Sequence, residues 1–217
     1  MKRTATSNRS GFTMVELVIV AVIMTIALTA VGLFDRSNRQ TLEQSTSVGV
    51  AQQRAHEAIE RVLHELEGAS IATLVPDPTG QLGSDEIVFQ KSTGVTPAGA
   101  VILSTRTRIA LAMEDSETLD GADNNNNGLV DERKLTITYD FGTANARTVT
   151  IAHRIPALFP DETANAADDN GNGVVDERGF NVQRVGNLLH VRLAAQARGK
   201  GGRWMAWSEN SDLRIRN

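Results

Sequence analysis

A single acidic residue interrupts a long apolar run near the start of this chain. The run covers residues 12–34, and Glu16 is its only charged side chain. An α-helix rises about 1.5 Å per residue, so roughly 20 residues cross the hydrocarbon core of a bilayer. The run therefore predicts a transmembrane helix. A carboxylate in hydrocarbon is costly without a partner, which indicates a specific role for Glu16.

Basic residues precede this run and predict its orientation. Lys2, Arg3 and Arg9 lie ahead of it, and no acidic residue accompanies them. By the positive-inside rule the N-terminus stays in the cytoplasm and the rest of the chain lies outside. An ordinary signal anchor with an incidental glutamate is one alternative. A cleaved secretory peptide is another, although the run exceeds the usual apolar region of about 7–15 residues and lacks a small-residue cleavage site.

This N-terminus resembles that of the type IV pilin and pseudopilin superfamily. The resemblance lies in the short basic leader, in Gly11 before the cleaved bond, in Phe12 as the new N-terminus and in Glu16 just after it. It implies that a prepilin peptidase cuts after Gly11 and methylates the new amine. It also implies that Glu16 pairs with an N-terminal ammonium as subunits enter a filament. The chemistry agrees, because an ammonium is the counter-charge that a carboxylate in hydrocarbon lacks.

The helix is predicted to continue beyond the membrane. The chain has no proline and little glycine between Asp35 and Gly68, and Gly68 is the expected stop. Apolar residues recur at steps of three and four, which predicts one face that packs on a globular head. These residues are Ala51, Ala55, Ile59, Val62 and Leu66.

Short β-like segments follow Pro76 and Pro78. They are rich in Val, Ile, Leu and Thr and cover residues 86–90, 100–112, 134–141, 147–158, 180–185, 188–195 and 203–208. Turn sequences at 142–146 and 186–187 predict two hairpins. The expected fold class is α+β, with a long N-terminal transmembrane pilin helix packed on an antiparallel β-sheet head. The expected domains are a leader (1–11), a transmembrane half (12–34), an amphipathic half (35–68) and a β-rich head (69–217).

Charge and cysteine content constrain the head. Loss of the leader removes three positive charges, so the net charge changes from −4 to −7 and 206 residues remain. A negative chain is not expected to bind nucleic acid. An exported domain without cysteine must be held by packing, by metal ions or by neighbouring subunits.

Two acidic loops, 120–133 and 165–178, share one spacing of oxygen-bearing side chains followed by a glycine. Calcium takes six to eight oxygen ligands, and a curled loop offers alternate side chains and a backbone carbonyl to one ion. Gly128 and Gly173 fall where such loops bend sharply. The sequence thus predicts two calcium ions. The candidate ligands in the first loop are Asp123, Asn125, Asn127, the carbonyl of Leu129, Asp131 and Glu132; those in the second are Asp168, Asn170, Asn172, the carbonyl of Val174, Asp176 and Glu177.

Over these segments alone, the frame resembles the calcium loops of EF-hands, dockerins and thrombospondin type 3 repeats. It departs from the EF-hand at the twelfth place, which holds Lys134 or Gly179 where the family has a glutamate. The adjacent Asp-Glu pair is a substitute, and the choice between Asp131 and Glu132 stays open. Asp120 and Asn165 are possible extra ligands. Flexible Asn-Asp-Gly turns are the alternative interpretation. Our hypothesis is that the ions fix the start of each following hairpin and replace disulfides.

Catalysis finds little support in the sequence. It contains no nucleophile elbow, phosphate loop, zinc-protease motif or cysteine, so no enzymatic activity is expected. His153 and His190 fall in predicted strands. The basic stretch containing Arg198, Lys200 and Arg203 is interpreted as a turn with a solvated face, with contact to DNA or an anionic surface as the alternative.

The sequence therefore indicates a minor pilin or pseudopilin, a structural subunit of a type II secretion pseudopilus or type IV pilus. The order of segments resembles the J-type minor pseudopilins and the PilW-like minor pilins, through the N-terminal helix, residues 61–69, the β-rich remainder and residues 213–217. That resemblance implies a place at the tip or in initiation of the filament. The implied partners are other pilins or pseudopilins and the prepilin peptidase. The implied location is the inner membrane, crossed once, with the head in the periplasm until a periplasmic or surface filament forms. A membrane-anchored calcium-dependent adhesin or binding domain that does not polymerise is the alternative.

Overall fold

The computed structural model describes residues 13–198 and 204–215. Within them the chain forms one α-helix, α1 (Met14–Leu66), a single 3-10 turn at Ile71–Thr73 and nine β-strands. The chain divides into two compact units, Met1–Glu43 and Gln44–Asn217. A long N-terminal apolar helix followed by antiparallel sheets confirms the predicted α+β class.

The N-terminal unit carries the predicted membrane segment. Residues Met14–Arg39 form a helical stretch long and apolar enough to cross a membrane, and none of its apolar window is buried inside the protein. Two of its hydroxyls are satisfied within the helix, since those of Thr25 and Thr29 donate to the carbonyls of Ala21 and Thr25, both at 2.8 Å. Such a surface is suited to lipid or to other apolar helices.

The strands of the second unit form two larger sheets and one hairpin. Their bounds are β1 Glu86–Phe89, β2 Ser92–Val95, β3 Val101–Leu103, β4 Thr107–Met113, β5 Arg133–Tyr139, β6 Arg147–Ile155, β7 Phe180–Val185, β8 Leu188–Arg198 and β9 Trp204–Arg214. All pairings are antiparallel: β1-β4-β5-β6 form one sheet, β7-β8-β9 another, and β2-β3 a hairpin. The two predicted hairpins are β5–β6 and β7–β8.

The predicted strand over 100–112 is divided in the structure. Residues 104–106 separate β3 from β4 because the chain changes partner there, from β2 in the hairpin to β1 and β5 in the sheet. Ser104 anchors the change of direction: its N–H donates to the carbonyl of Lys91 at 2.8 Å, and its hydroxyl accepts the Lys91 N–H at 2.9 Å. Residue periodicity alone does not reveal such an exchange of partners.

The C-terminal part of α1 supplies the centre of the core. Its predicted apolar face is buried, and it packs on side chains from both larger sheets. Burying a Leu, Ile or Phe side chain stabilises a fold by about 1.5–3 kcal/mol, so this shared core supplies the main driving force. The helix ends at Leu66, and Gly68 has a φ of +82°, which confirms the predicted stop. The core residues of the two sheets include Ile87, Phe89, Ile109, Leu135, Ile137, Phe180, Val182, Leu189, Val191 and Leu193.

A buried carboxylate on α1 is fully paired with the sheet side of the core. Glu65 accepts hydrogen bonds from the Lys91 ammonium at 2.9 Å and from the Tyr139 hydroxyl at 2.7 Å. Arg61 donates to the same hydroxyl at 2.9 Å and lies 3.2 Å from Glu65 Oε1. Burial on its own would raise the pKa of Glu65, but the hydrogen bonds from Lys91 and Tyr139 outweigh it and lower the pKa.

We expect Glu65→Gln to lower the free energy of unfolding by about 1–3 kcal/mol at neutral pH, because it weakens two charge-assisted hydrogen bonds in a buried position. Urea unfolding of the full chain in detergent micelles, followed by tryptophan fluorescence, measures the difference. Because the folded pKa is lowered, this stabilisation is present above the ordinary carboxyl pKa of 4.5 and is lost as the pH falls below it. The difference between the two proteins should therefore shrink in acid.

Glu67→Gln is the matched control, since this glutamate directly follows the same helix and is largely exposed. It should leave the free energy of unfolding within about 0.5 kcal/mol of wild type. An equal loss in both variants would show that the buried network does not contribute as described.

Candidate functional site

The start of α1 holds Glu16 in a capping arrangement. The backbone N–H and the hydroxyl of Thr13 both donate to Glu16 Oε2, at 2.8 and 2.9 Å, and the Glu16 N–H donates to the Thr13 hydroxyl at 3.3 Å. This is a capping box, which satisfies helix-end donors reciprocally. The Thr-x-x-Glu spacing was a signal for it that the sequence reasoning missed. Gly11 and Phe12 lie outside the described residues, so cleavage and methylation stay predictions.

The two acidic loops are one structural unit that occurs twice, 45 residues apart in the sequence. The first connects β4 to β5 and the second connects β6 to β7. The same backbone hydrogen bonds close both bases, from the Glu114 N–H to the Glu132 carbonyl at 3.2 Å and from the Phe159 N–H to the Glu177 carbonyl at 2.8 Å. Equivalent residues also share positive φ angles, in the pairs Ser116 and Asp161, Gly121 and Ala166, Asn126 and Gly171, Gly128 and Gly173, and Asp131 and Asp176.

In the first loop the alternate side chains bind the backbone of the turn that they enclose. The Asp123 carboxylate accepts N–H bonds from Asn127 at 3.1 Å and Gly128 at 2.7 Å. The amide oxygens of Asn125 and Asn127 accept the N–H groups two residues further on, at 3.1 and 2.8 Å. Side chains at 123, 125 and 127 are partly buried while their neighbours at 124 and 126 are exposed. The predicted ligand positions therefore face inward together.

The second loop repeats this arrangement. Asp168 accepts N–H bonds from Asn172 at 3.1 Å and Gly173 at 2.8 Å. Asn170 and Asn172 again accept the N–H groups two residues on, at 3.0 and 2.9 Å. The side chains of Leu129 and Val174, at equivalent positions, are buried and fix the end of each turn.

Two glutamates lie beneath these asparagines. Glu132 is 1% exposed and Glu177 is fully buried. Glu132 Oε1 accepts amide hydrogen bonds from Asn125 at 2.8 Å and from Asn127. Glu177 accepts the Asn172 amide at 2.6 Å, and its other oxygen lies 3.4 Å from the Arg192 guanidinium. Burial raises the pKa of Glu177, and the nearby Glu162 carboxylate raises it further.

Two further glutamates belong to the loops and were missed by the sequence reasoning. Glu117 and Glu162 are 6% and 7% exposed. One oxygen of Glu117 accepts the Asn125 N–H at 2.8 Å, and one oxygen of Glu162 accepts the Asn170 N–H at 3.2 Å. The second oxygens of Glu117, Glu132 and Glu162 are buried without a hydrogen-bond partner among the described residues. The available signal was the sequence repeat, which extends back to a shared Glu-Thr pair.

Asp131 and Asp176 have a different environment. The Asp131 carboxylate accepts the N–H groups of Asp120 and Gly121 at 3.1 Å. The Asp176 carboxylate accepts those of Asn165 at 2.9 Å and Ala166 at 3.1 Å. Both carboxylates thus bind the first turn of their loop. Between the two residues left open by the sequence, Glu132 is the one that contacts Asn125 and Asn127.

Asp120 and Asn165 lie in equivalent exposed polar clusters, in which the positions of the carboxylate and the amide are swapped between the two loops. The Asp120 carboxylate accepts the Asn124 amide at 2.9 Å. In the second loop the amide belongs to Asn165 and the carboxylate to Asp169, at 3.0 Å. A threonine hydroxyl, from Thr118 or Thr163, completes each cluster. The surrounding hydrogen bonds lower the pKa of Asp120, the largest cause being the Ala122 N–H, and that of Asp169, the largest cause being the Thr163 hydroxyl.

We call the inward-facing oxygen donors of each loop its inner set: Glu117, Asp123, Asn125, Asn127 and Glu132 in the first loop, and Glu162, Asp168, Asn170, Asn172 and Glu177 in the second. The chemistry of each inner set fits a hard cation. Among residues 13–198 and 204–215, no three His, Cys, Asp or Glu side chains form a ready-made metal cluster. Each loop instead combines one aspartate, two glutamates and two asparagines, all oxygen donors of the kind that calcium prefers. Buried carboxylate oxygens without partners need a compensating positive charge, and a divalent ion would supply it.

The histidines and the basic stretch have structural contacts. His153 lies in β6 and His190 in β8, as predicted, and their Nδ1 atoms lie 2.7 Å from Glu114 and 2.6 Å from Asp212. Arg198 was interpreted as part of a solvated turn; it lies instead at the end of β8. There it donates to the carbonyl of Asn127 at 3.0 Å. Lys200 and Arg203 lie outside the described residues.

Comparison with known proteins identifies the N-terminal segment. The family model described as the prokaryotic N-terminal methylation motif matches residues 6–32. No curated protein and no solved structure matches the chain. The motif and the apolar helix that follows it support a pilin-like or pseudopilin-like protein anchored in a membrane, and they point to a structural subunit.

Both loops should depend on glycine at their bend. Gly128 and Gly173 have φ angles of +90° and +88°, so alanine at either position should lower the free energy of unfolding by about 1–2 kcal/mol. Gly128→Ala should cost more, because its new Cβ would lie 3.3 Å from atoms of Arg198 and Trp204, whereas Gly173 has open space. Thermal unfolding by circular dichroism measures both.

Gly49→Ala is the control for these substitutions. Gly49 lies within α1 with nothing near its side-chain position, so alanine there should stabilise the protein slightly. Loss of stability on Gly49→Ala, or none on Gly173→Ala, would contradict the role given to the bends.

Proposed function

We propose that this protein is a minor pilin or pseudopilin, a structural subunit of a type II secretion pseudopilus or a type IV pilus. The observation that carries the proposal is the methylation motif at residues 6–32, which overlaps an exposed apolar helix, and Glu16 is the only carboxylate of the apolar run 12–34. A β-rich head of this size suits a subunit at the tip or in the initiation complex of the filament. The chain would cross the inner membrane once, with its head in the periplasm.

The membrane segment explains how such a subunit would be stored and then assembled. Lipid covers its apolar side chains before assembly, and the apolar helices of neighbouring subunits would cover them in a filament. Glu16 would direct that exchange, because its carboxylate is costly in an apolar environment without a cation. In this proposal the prepilin peptidase exposes the Phe12 ammonium after Gly11, and Glu16 pairs with the ammonium of a neighbouring subunit.

Two variants separate pairing from helix capping. Glu16→Gln keeps a side chain suited to a capping box but removes the charge, whereas Thr13→Ala removes the capping partner and keeps the charge. We expect Glu16→Gln to reduce the amount of this subunit in sheared filaments by about tenfold or more, since each 1.4 kcal/mol of lost pairing is a factor of about ten. Thr13→Ala should assemble at close to the wild-type level. Immunoblots of filament and membrane fractions from native host cells measure both.

The membrane fraction is the internal control, because both variants should insert equally. Mass spectrometry of that fraction should find Phe12 at the N-terminus with one added methyl group. Normal assembly of Glu16→Gln would reject the pairing role. A processed protein that never enters filaments in its wild-type form would instead favour the anchored adhesin.

The head, in this proposal, is stabilised by two calcium ions, one in each acidic loop. The buried oxygens of Glu117, Glu132 and Glu162 support it, because a carboxylate out of water needs a cation. The other ligands of the ion in the first loop would be Asp123, Asn125, Asn127 and the carbonyl of Leu129. The other ligands of the ion in the second loop would be their equivalents Asp168, Asn170, Asn172 and the carbonyl of Val174, together with Glu177.

The ions would replace the cross-links that the head lacks. The protein has no cysteine, and the loops begin and end on the strands of both larger sheets. A bound ion would fix the start of β5 and of β7, and hence of the hairpin that each strand opens. This mechanism stabilises only the folded state, because the unfolded chain does not hold the ligands together.

Calcium should raise the thermal midpoint of the full chain in detergent micelles. At about a hundredfold excess over the dissociation constant, each site should add about 2.7 kcal/mol to the free energy of unfolding. Isothermal titration should give two binding events, with Asp123→Ala removing one and Asp168→Ala the other. Asp169→Ala is the matched control, since this exposed residue lies outside the inner set. Unchanged midpoints and no binding heat would end the calcium proposal while leaving the pilin proposal intact.

A further inference from the structure

Both acidic loops contact the same strand through an arginine. Arg192 and Arg198 lie six residues apart on β8, so they fall on one face of the strand. Arg198 donates to the carbonyl of Asn127 at 3.0 Å, and Arg192 donates to the carbonyl of Asn172 at 3.4 Å. These two asparagines are equivalent residues of the two loops. Strand β8 therefore carries one arginine for each loop.

The two arginines differ in their remaining contacts. The Arg192 nitrogen that does not bind Asn172 lies 3.4 Å from Glu177 Oε1, and the Arg192 side chain is only 12% exposed. In the first loop Arg198 lies over the Trp204 ring, 5.8 Å from its centroid, and contacts the backbone of the loop. Within residues 13–198 and 204–215, no lysine or arginine pairs with Glu132. A nearly buried positive charge thus belongs to the inner set of the second loop.

The carboxylates do not account for a difference between the loops. Each inner set has an aspartate and two glutamates at equivalent positions, and each loop closes its first turn with another aspartate, Asp131 or Asp176. Each first turn also carries one exposed acid, Asp120 or Asp169. The negative charge is therefore equal, and Arg192 is the feature that separates the two sites.

We propose that the two loops are unequal calcium sites, the first tight and the second weakened by Arg192, which competes with the ion for Glu177. The proposal rests on the calcium-stabilised head described above. Calcium affinity follows the net charge of the ligand set, and a fixed cation beside the ion repels it strongly in a buried site. Arg192 also pairs with Glu177 without calcium, so among the described residues the second loop leaves one buried carboxylate oxygen without a partner, on Glu162, where the first loop leaves two, on Glu117 and Glu132. The first loop has a buried, unpartnered oxygen on Glu132 and depends on the ion.

Isothermal titration of calcium chloride into the full chain in detergent micelles tests this proposal. The wild-type protein should show two events whose dissociation constants differ by about tenfold or more, and Asp123→Ala should remove the tighter one. Arg192→Met keeps the length of the side chain without its charge, and it should tighten the weaker event by about tenfold. Arg198→Met is the matched control on the same strand and should tighten neither. Arg192→Lys, which keeps the charge, should leave the weaker event weak.

The possible results are distinguishable. Two events of equal affinity that Arg192→Met leaves unchanged would overturn this inference and keep the calcium proposal. Weaker binding in Arg192→Met would also overturn it, because the arginine would then position the loop for the ion. No binding heat in any protein would reject both proposals. If Arg192→Met loses the native circular dichroism spectrum, Arg192→Gln carries the same expectation, since it keeps a hydrogen-bond donor without the charge.

Discussion

The apolar face of α1 between Ala58 and Leu66 is the packing interaction on which the head depends. It joins one core with side chains from the four-stranded and the three-stranded sheets, so both sheets are buried against a single helix. Backbone hydrogen bonds between Ser84 and Val182, at 2.9 and 2.8 Å, add a direct link where β1 approaches β7. Since the same helix begins as the apolar segment Met14–Arg39, membrane anchoring and folding of the head rely on one continuous element.

The buried carboxylates of the head differ in whether the protein supplies all their hydrogen-bond partners. Glu65 is buried where Lys91 and Tyr139 reach it, and the protein itself supplies every partner that its two oxygens need. Glu117 and Glu132 are equally buried, but each keeps one oxygen without a partner in the described part of the chain. The same physical cost is therefore met by the protein itself in one place, and in the other it would be met by the cation of our proposal. This contrast is a stronger argument for calcium than the acidic composition of the loops.

The features that could be predicted from the sequence are those set by local pattern. Helical spacing indicated the buried face of α1, turn residues indicated the hairpins β5–β6 and β7–β8, and alternate side chains indicated the inward positions of the loops. The loop contacts of Glu117 and Glu162 had only the sequence repeat as a signal, and the contribution of Arg192 had none. The role of Arg192 arises from burial and from a tertiary contact, in which β8 brings Arg192 to Glu177. The division of residues 100–112 has the same cause, because a change of strand partner is a tertiary event.

The position of the two loops in the fold would give a reason for the difference in calcium affinity that we propose. The first loop joins β4 to β5, neighbours in one sheet that are also held together by their own backbone hydrogen bonds. The second joins β6 to β7 and is the connection between the two larger sheets. A connection between sheets has no flanking ladder of its own, so disorder there would loosen the shared core directly. Arg192 supplies a permanent positive charge at that connection, whereas the sheet around the first loop would tolerate the dependence on an ion that we propose.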